Sequence, residues 1–372
     1  SAASDVYKRQ GVTLNNLSIK NFFKKGAWRP YPMGQNQRLS ISAQTNGTYY
    51  KAFAISFTDP WMGGRKPNSF TISAHYSDEN NAYYAWQKGT RYFRTAGVAA
   101  GLGKRLDWPD PYFTFYAEAS YERYMLKDWN TFVLKNGAAN LLSIRLVLGR
   151  NSVDQPIYPR RGSDFSVSVQ LTPPYSLWDG KDYKSTALSE QERYNWIEFH
   201  KWMLKGQWFT PLTRNGNLVL MARAEMGYLG HYNKNKVSPF ERFEVGGDGM
   251  TGYNMYGIDI ISMRGYDDGA LDPVGSNYSC AYNKYTMELR YPLLLKGQTN
   301  IYVLGFLEGG NGFTSWKEFS PFKIKRSAGI GVRLFLPVVG MVGVDWGWGF
   351  DPAAGQTKRS GSHIHFTMGM QF

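Results

Sequence analysis

Along most of the chain, apolar and polar residues alternate one for one. Phe165, Val167, Val169 and Leu171 interleave with Ser166, Ser168 and Gln170. Leu218, Leu220, Ala222, Ala224, Met226 and Tyr228 stand opposite Arg223 and Glu225, and Tyr285, Met287, Leu289 and Tyr291 stand opposite Thr286, Glu288 and Arg290. At the end of the chain Ile364, Phe366, Met368, Met370 and Phe372 oppose His365, Thr367, Gly369 and Gln371. Side chains of a strand point alternately to its two faces, so a period of two marks strands with one apolar face. Helical periodicity is almost absent. The pattern predicts about fifteen strands, at 11–21, 37–46, 48–58, 68–78, 90–102, 112–124, 141–150, 163–171, 195–209, 217–229, 284–292, 299–309, 326–336, 341–350 and 363–372.

An apolar face is buried either against a second sheet or against lipid, and the connectors discriminate between the two. After the first two, they fall into alternating sets. One set is short and rich in Pro and Gly (DPWMGGRKPN, KRLDWPDP, DQPIYPRRG, PLTRNG, PLLLKGQ, PVVG). The other is mostly long and polar (79–89, 125–140, 172–194, 230–283, 310–325, 351–362). Outer-membrane barrels segregate their connectors in this way, with short periplasmic turns and long external loops, whereas a sandwich has no reason to do so. The expected fold class is therefore all-β, an antiparallel transmembrane β-barrel.

Composition agrees once strands rather than helices are taken to cross the membrane. The chain has 372 residues, of which 26 are Tyr, 22 Phe and 12 Trp, yet its mean hydropathy is −0.44. No apolar run reaches the ~18 residues of a spanning helix, while a spanning strand of ~9–11 residues needs only every second one apolar. The net charge of +14 is spread over strands and loops without a basic helix or recognition motif, which argues against nucleic acid as a partner and allows attraction to anionic headgroups. Cys280 is the only cysteine, so no intrachain disulfide is possible, and no Cys/His spacing suggests a metal or cofactor site. Residues 1–10 lack the apolar core of a signal peptide and do not alternate, and the segment is expected to be irregular and foreign to the domain at 11–372.

Three features are candidates for function. The connector 230–283 contains FEVGGDG (243–249), with Gly246 and Gly247, and MRGY (263–266), with Arg264, Gly265 and Tyr266. Its apolar and aromatic residues (Phe240, Phe243, Met250, Tyr253, Tyr256, Ile258, Ile260 and Ile261) argue against simple disorder. The second feature is a pair of acids on polar faces, Glu308 in FLEGG and Asp345 in VGVDWGWGF. Asp345 shares its face with Gly343, Gly347 and Gly349, which leave room for another segment to approach; the alternative is an acid that merely wets the lumen. The third is the last strand with Phe366, Met368, Gly369, Met370 and Phe372, which also reads as an ordinary strand ending on an interfacial aromatic. Catalysis has little support: His363 and His365 share a face, but no nucleophile setting accompanies them.

In order along the chain, SFTDPW (56–61), RNSVDQPIYPRRGS (150–163), FEVGGDG, MRGY, ELRYPL (288–293), FLEGG, SAGIGVRLFLPVVGMVGVDWG (327–347) and the ending HF-x-MG-x-x-F (365–372) resemble the barrel domain of the BamA-type outer-membrane protein assembly factors, whose relatives include TamA and the two-partner secretion translocators. The resemblance covers about residues 11–372 and implies a sixteen-stranded barrel of the Gram-negative outer membrane whose long loop folds inward, Arg264 meeting Glu308 and Asp345. Relatives more often have Asp at the FLEGG position, so the longer Glu308 is expected to make a displaced or water-mediated contact. The resemblance implies no enzyme and no cofactor. It implies a function in folding and inserting barrel proteins through a lateral seam between first and last strands, with unfolded outer-membrane proteins as clients, periplasm-side accessory lipoproteins, and outer-membrane lipid and lipopolysaccharide as partners. Secretion of a partner protein is the alternative, and a passive porin the third reading. The family's POTRA domains and first strand find no counterpart in the sequence. With fifteen strands the first and last run the same way and cannot close antiparallel, so they are expected to share little regular hydrogen bonding.

Overall fold

The computed structural model describes residues 7–64, 66–82, 86–250, 257–275, 278–337 and 340–368. Among these, seventeen strands form: β1 (Tyr7–Leu17), β2 (Gln37–Asn46), β3 (Tyr50–Asp59), β4 (Asn68–Asn80), β5 (Tyr92–Arg105), β6 (Phe113–Lys127), β7 (Gly137–Asn151), β8 (Gly162–Leu171), β9 (His200–Pro211), β10 (Val219–Gly230), β11 (Phe243–Val245), β12 (Asp259–Ile261), β13 (Ala281–Lys296), β14 (Thr299–Phe313), β15 (Lys325–Leu336), β16 (Gly340–Pro352) and β17 (Arg359–Met368). Fifteen of them make one sheet in sequence order, with β1 and β17 at its two ends; β11 and β12 make a separate parallel pair within the long connector.

The expected strands are present, with shifted ends. β1 starts at Tyr7 and pairs antiparallel with β2 from Tyr7↔Asn46 onward, so residues 7–10 are strand and not irregular. Backbone pairing needs no apolar side chains, and a partner strand already in register extends through a polar segment. Residues 1–6 lie outside the described residues. The predicted 11–21 strand stops at Leu17, where a 3-10 turn (Ile19–Asn21) begins, and the predicted 195–209 strand starts only at His200.

Two compact units divide the chain. The first comprises residues 1–147, 170–200 and 231–239, the second 148–169, 201–230 and 240–372. Each has its apolar and polar faces reversed relative to a water-soluble sheet. In the first unit Val12, Ile41, Phe53, Ile55, Ile72 and Val98 are exposed. In the second, β16 exposes Val344, Trp346, Trp348 and Phe350, and β17 exposes Ile364, Phe366 and Met368, while Asp345, His365 and Thr367 on the opposite face are buried. Exposed apolar faces backed by buried ionic ones suit a lipid solvent. The register explains the regularity: Val344 pairs with Phe366 and Trp346 with Ile364, so one-residue slips would turn the charged face toward lipid.

The second unit also has an apolar cluster on its buried face. Tyr158, from the turn between β7 and β8, packs with Phe209, Val219, Met221, Tyr302, Leu304, Phe306 and Met341. Its hydroxyl lies 2.7 Å from the Asn217 carbonyl and 2.8 Å from that of Arg290, its single proton being shared between them.

Candidate functional site

The long connector between β10 and β13 packs onto the buried face of β13–β17. Within it Phe240, Phe243, Ile258 and Ile261 are buried, Met250 is exposed, and Tyr253 and Tyr256 lie outside the described residues. Gly246 and Gly247 are both in the left-handed region, with φ of 134° and 72°. A Cβ on Gly246 would sit 2.4 Å from the Asp267 carbonyl oxygen, so this double glycine lets the FEVGGDG strand turn tightly beneath the segment that follows MRGY.

Arg264 is 1% exposed, at the centre of the packing. Its Nη2 lies 2.8 Å from both Glu308 Oε2 and Glu288 Oε1, its Nε donates to Glu308 Oε2 at 3.2 Å, and its own backbone N–H donates to Glu308 Oε1 at 2.9 Å. Asp345 is nearby, 3.5 Å from Nη1, but its two oxygens are held by Arg333 at 2.8 and 2.7 Å. Glu288 is held in turn by Arg290 at 2.8 Å. Three guanidinium groups (Arg264, Arg290, Arg333) thus face three carboxylates (Glu288, Glu308, Asp345), all six buried. Neutral overall and bidentate in places, this set meets the conditions under which buried charges are tolerated. The Arg264 guanidinium lies over the ring of Phe306, whose centroid is 3.7 Å from Cζ. Burial works against the Arg264 charge, but Glu308, Glu288 and Asp345 outweigh it and raise the guanidinium pKa further.

Against expectation, the Glu308 contact is direct. The extra methylene lets one carboxylate span both the guanidinium edge and the loop backbone, while Thr286 donates to it at 3.0 Å. The glycines divide into two roles. A Cβ on Gly347 would lie 2.8 Å from the Gly265 nitrogen, and one on Gly349 2.4 Å from the Gly265 oxygen, so these two admit the loop. Gly343 instead leaves space for Arg333, 2.6 Å from its notional Cβ.

The loop is also tied to the last strand. Gly265 N–H donates to His365 Nε2 at 2.8 Å, Ser360 Oγ donates to the Gly265 carbonyl at 2.8 Å, and the backbone N–H of Phe366 donates to Asp248 Oδ2 at 3.1 Å. The first bond requires His365 to carry its proton on Nδ1 when neutral. Tyr266 is buried and donates to the Arg326 carbonyl at 2.7 Å. Met368 is exposed on the same strand; Gly369, Met370 and Phe372 lie outside the described residues.

Sequence reasoning singled out Arg264, Glu308 and Asp345 but not Glu288, Arg290, Arg333 or Asp248. Glu288 and Arg290 were legible as polar-face residues of an alternating strand. Nothing in the sequence marked them as facing a loop rather than water.

The comparisons with known proteins agree on the family. Residues 33–372 match the Omp85 superfamily domain, and the chain belongs to that superfamily. Over 258 residues it is 23% identical to the outer membrane protein assembly factor BamA of Neisseria meningitidis serogroup B, covering 64% of this chain and 27% of that protein. The crystal structure of Haemophilus ducreyi BamA lacking POTRA domains 1–3 matches with a TM-score of 0.65 at 17% identity, over 97% of this chain and 66% of that one. CdiB from Escherichia coli matches with a TM-score of 0.56 at 12% identity, over 97% and 58%. The chain therefore spans about a quarter of the curated relative. Its fold class is the antiparallel outer-membrane β-barrel, and its location is the outer membrane of a Gram-negative bacterium.

Proposed function

We propose that this chain acts in folding and inserting β-barrel proteins into the outer membrane, with unfolded outer-membrane proteins as clients. The observation that carries the reading is the tie between the inward loop and β17. Arg264 anchors the loop to β13, β14 and β16, and Asp248 then accepts from the Phe366 N–H of the last strand. A strand at the end of a sheet offers backbone donors to an incoming strand, and a loop carboxylate on one of them makes that edge conditional. A client strand pairing there displaces Asp248, while the buried cage keeps the rest of the loop in place. The folding free energy of the client drives the insertion, with no nucleotide or covalent chemistry. Accessory lipoproteins on the periplasmic side and lipopolysaccharide belong to the same reading.

The test is client folding by the purified chain in phospholipid vesicles, followed by the heat-modifiable gel mobility of a urea-denatured client barrel. Faster folding than in vesicles holding an unrelated porin is expected, and an equal rate overturns the proposal. Export of a partner protein is the second reading, favoured by the CdiB match. It predicts crosslinks from a secreted polypeptide to buried-face residues such as Lys284, and none to β17.

A further inference from the structure

In the first unit, the connectors 18–36, 60–67 and 106–112 leave one edge of the sheet, as the registers Arg38↔Thr58, Asp59↔Phe70 and Arg105↔Thr114 require. On that edge, the short-turn side, 18–36 departs from the rule. It is long, yet folded. Ser18 N–H donates to the Pro32 carbonyl at 3.0 Å, Gly34 N–H to that of Asn16 at 2.9 Å, and Tyr31 Oη to that of Asn15 at 2.9 Å. Leu17 and Ser18 at its root are buried. The result is a hook held at its base.

Its tip carries a cluster of rings. Phe22 packs edge-on against Trp28 at 4.9 Å and against Phe23 at 5.4 Å. The Trp28 indole N–H donates to the Phe22 carbonyl at 3.0 Å, so its polar group is satisfied within the hook and its remaining surface is apolar. Yet Phe23 is 93% exposed and Trp28, Phe22 and Ile19 are exposed with it. Lys20, Lys24, Lys25 and Arg29 are exposed around the rings, and residues 18–36 contain no Asp or Glu. The two neighbouring turns repeat the combination. Trp61 is accompanied by Lys66, and Trp108, 84% exposed, by Lys104 and Arg105. Acids occur there too: Asp59 and Asp110 act as turn caps, accepting from Trp61 N–H at 3.0 Å and from Tyr112 N–H at 2.9 Å, while Asp107 is exposed beside Trp108.

Exposed rings interleaved with cations are what a membrane interface selects, the rings entering the headgroup zone and the cations meeting anionic lipid. Three separate turns presenting this combination along one sheet edge fit an extended surface better than the patch of a single protein partner. We propose that the hook 18–36, with Trp61 and Trp108, is an interfacial anchor that selects anionic glycerophospholipid in the leaflet at the short-turn edge. The proposal rests on the membrane-spanning fold and is independent of the insertase reading.

The test places a nitroxide at Phe23→Cys in a Cys280→Ser background, the full chain being held in phosphatidylcholine nanodiscs with phosphatidylglycerol, with lipid A or with neither. Power saturation is expected to show the label shielded from an aqueous nickel chelate and open to oxygen in the phosphatidylglycerol discs. Replacing Lys20, Lys24, Lys25 and Arg29 together by Ser should return it to water and lower the preference for spin-labelled phosphatidylglycerol over phosphatidylcholine by about twofold or more. The charge-conserving set Lys20→Arg, Lys24→Arg and Lys25→Arg should behave as the parent, which separates loss of charge from loss of fold. Equal water exposure in all three discs overturns the anchor. Shielding by lipid A alone, or by an added protein partner regardless of lipid, overturns its assignment to anionic glycerophospholipid.

Discussion

Two groups of ion pairs, one in each unit, use the same acid–base chemistry under different solvent. In the first, His75 meets Glu122 at 2.7 Å, Arg94 meets Asp78 at 3.4 Å and Arg145 meets Glu118 at 3.8 Å, each basic partner about two-fifths exposed. In the second, Arg264, Glu288, Glu308, Arg333 and Asp345 make pairs of similar or shorter length with almost no exposure. The strands are alike, and the difference is residues 240–280 of the long connector, which cover the second set. A pair that water can reach contributes little, because hydration competes and screens it. Once covered, each charge becomes dependent on its partner, and removing one leaves the other stranded.

The largest expected effect follows directly. Arg264→Ala leaves Glu308 and part of Glu288 buried without the guanidinium that hydrogen-bonds them, and should destabilise the folded chain by about 3–5 kcal/mol, read as a lower midpoint in heat-modifiability gels. A change below about 1 kcal/mol would mean that water enters the cage and that the two units are less different than their burial suggests. Gly347→Ala leaves every charge in place and pushes a methyl against the Gly265 backbone; overpacking of about 1–3 kcal/mol should appear together with faster proteolysis of the loop. Unchanged protease resistance would show that the loop does not depend on this close approach. Tyr158→Phe removes one hydroxyl from two carbonyl acceptors beneath the cage and should cost about 1–1.5 kcal/mol, checked by the same melting measurement. The smallest effect belongs to the first unit. Glu122→Gln breaks the pair with His75 and should shift stability by no more than about 1 kcal/mol, with most of any shift removed by high salt. A larger, salt-insensitive loss would erase the distinction between the units.

Much of the fold was legible because lipid imposes a regular code. Alternation located the strands, and connector parity separated a barrel from a sandwich. Strand ends were less legible: Tyr7–Gln10 pair with β2 through their backbone although their residues show no apolar face. For the site, Arg264, Glu308 and Asp345 could be joined through the family resemblance, and Gly347 and Gly349 by the space their missing side chains leave. The division of labour within the cage was not legible. That Arg333 occupies both oxygens of Asp345, and that Glu288 becomes the third acid at Arg264, depends on the stagger of β13 to β16. Alternation gives the face of a residue and not its height on the wall.

The cage has an implication for the order of events during folding. Its acids come from three strands: Glu288 from β13, Glu308 from β14 and Asp345 from β16. No receptor for Arg264 exists until those strands have paired in register, and before the loop arrives Glu308 and Glu288 lack the guanidinium that hydrogen-bonds both of them. Carboxylates without that hydrogen-bonding partner keep an unfinished wall hydrated, and only a correctly registered one brings Glu288 and Glu308 close enough to share a single guanidinium. Loop docking thus acts as a late inspection of strand register. In pulsed proteolysis during folding, cleavage after Arg264 should persist after the amides of β14 and β15 are protected from exchange; simultaneous protection would rule this order out.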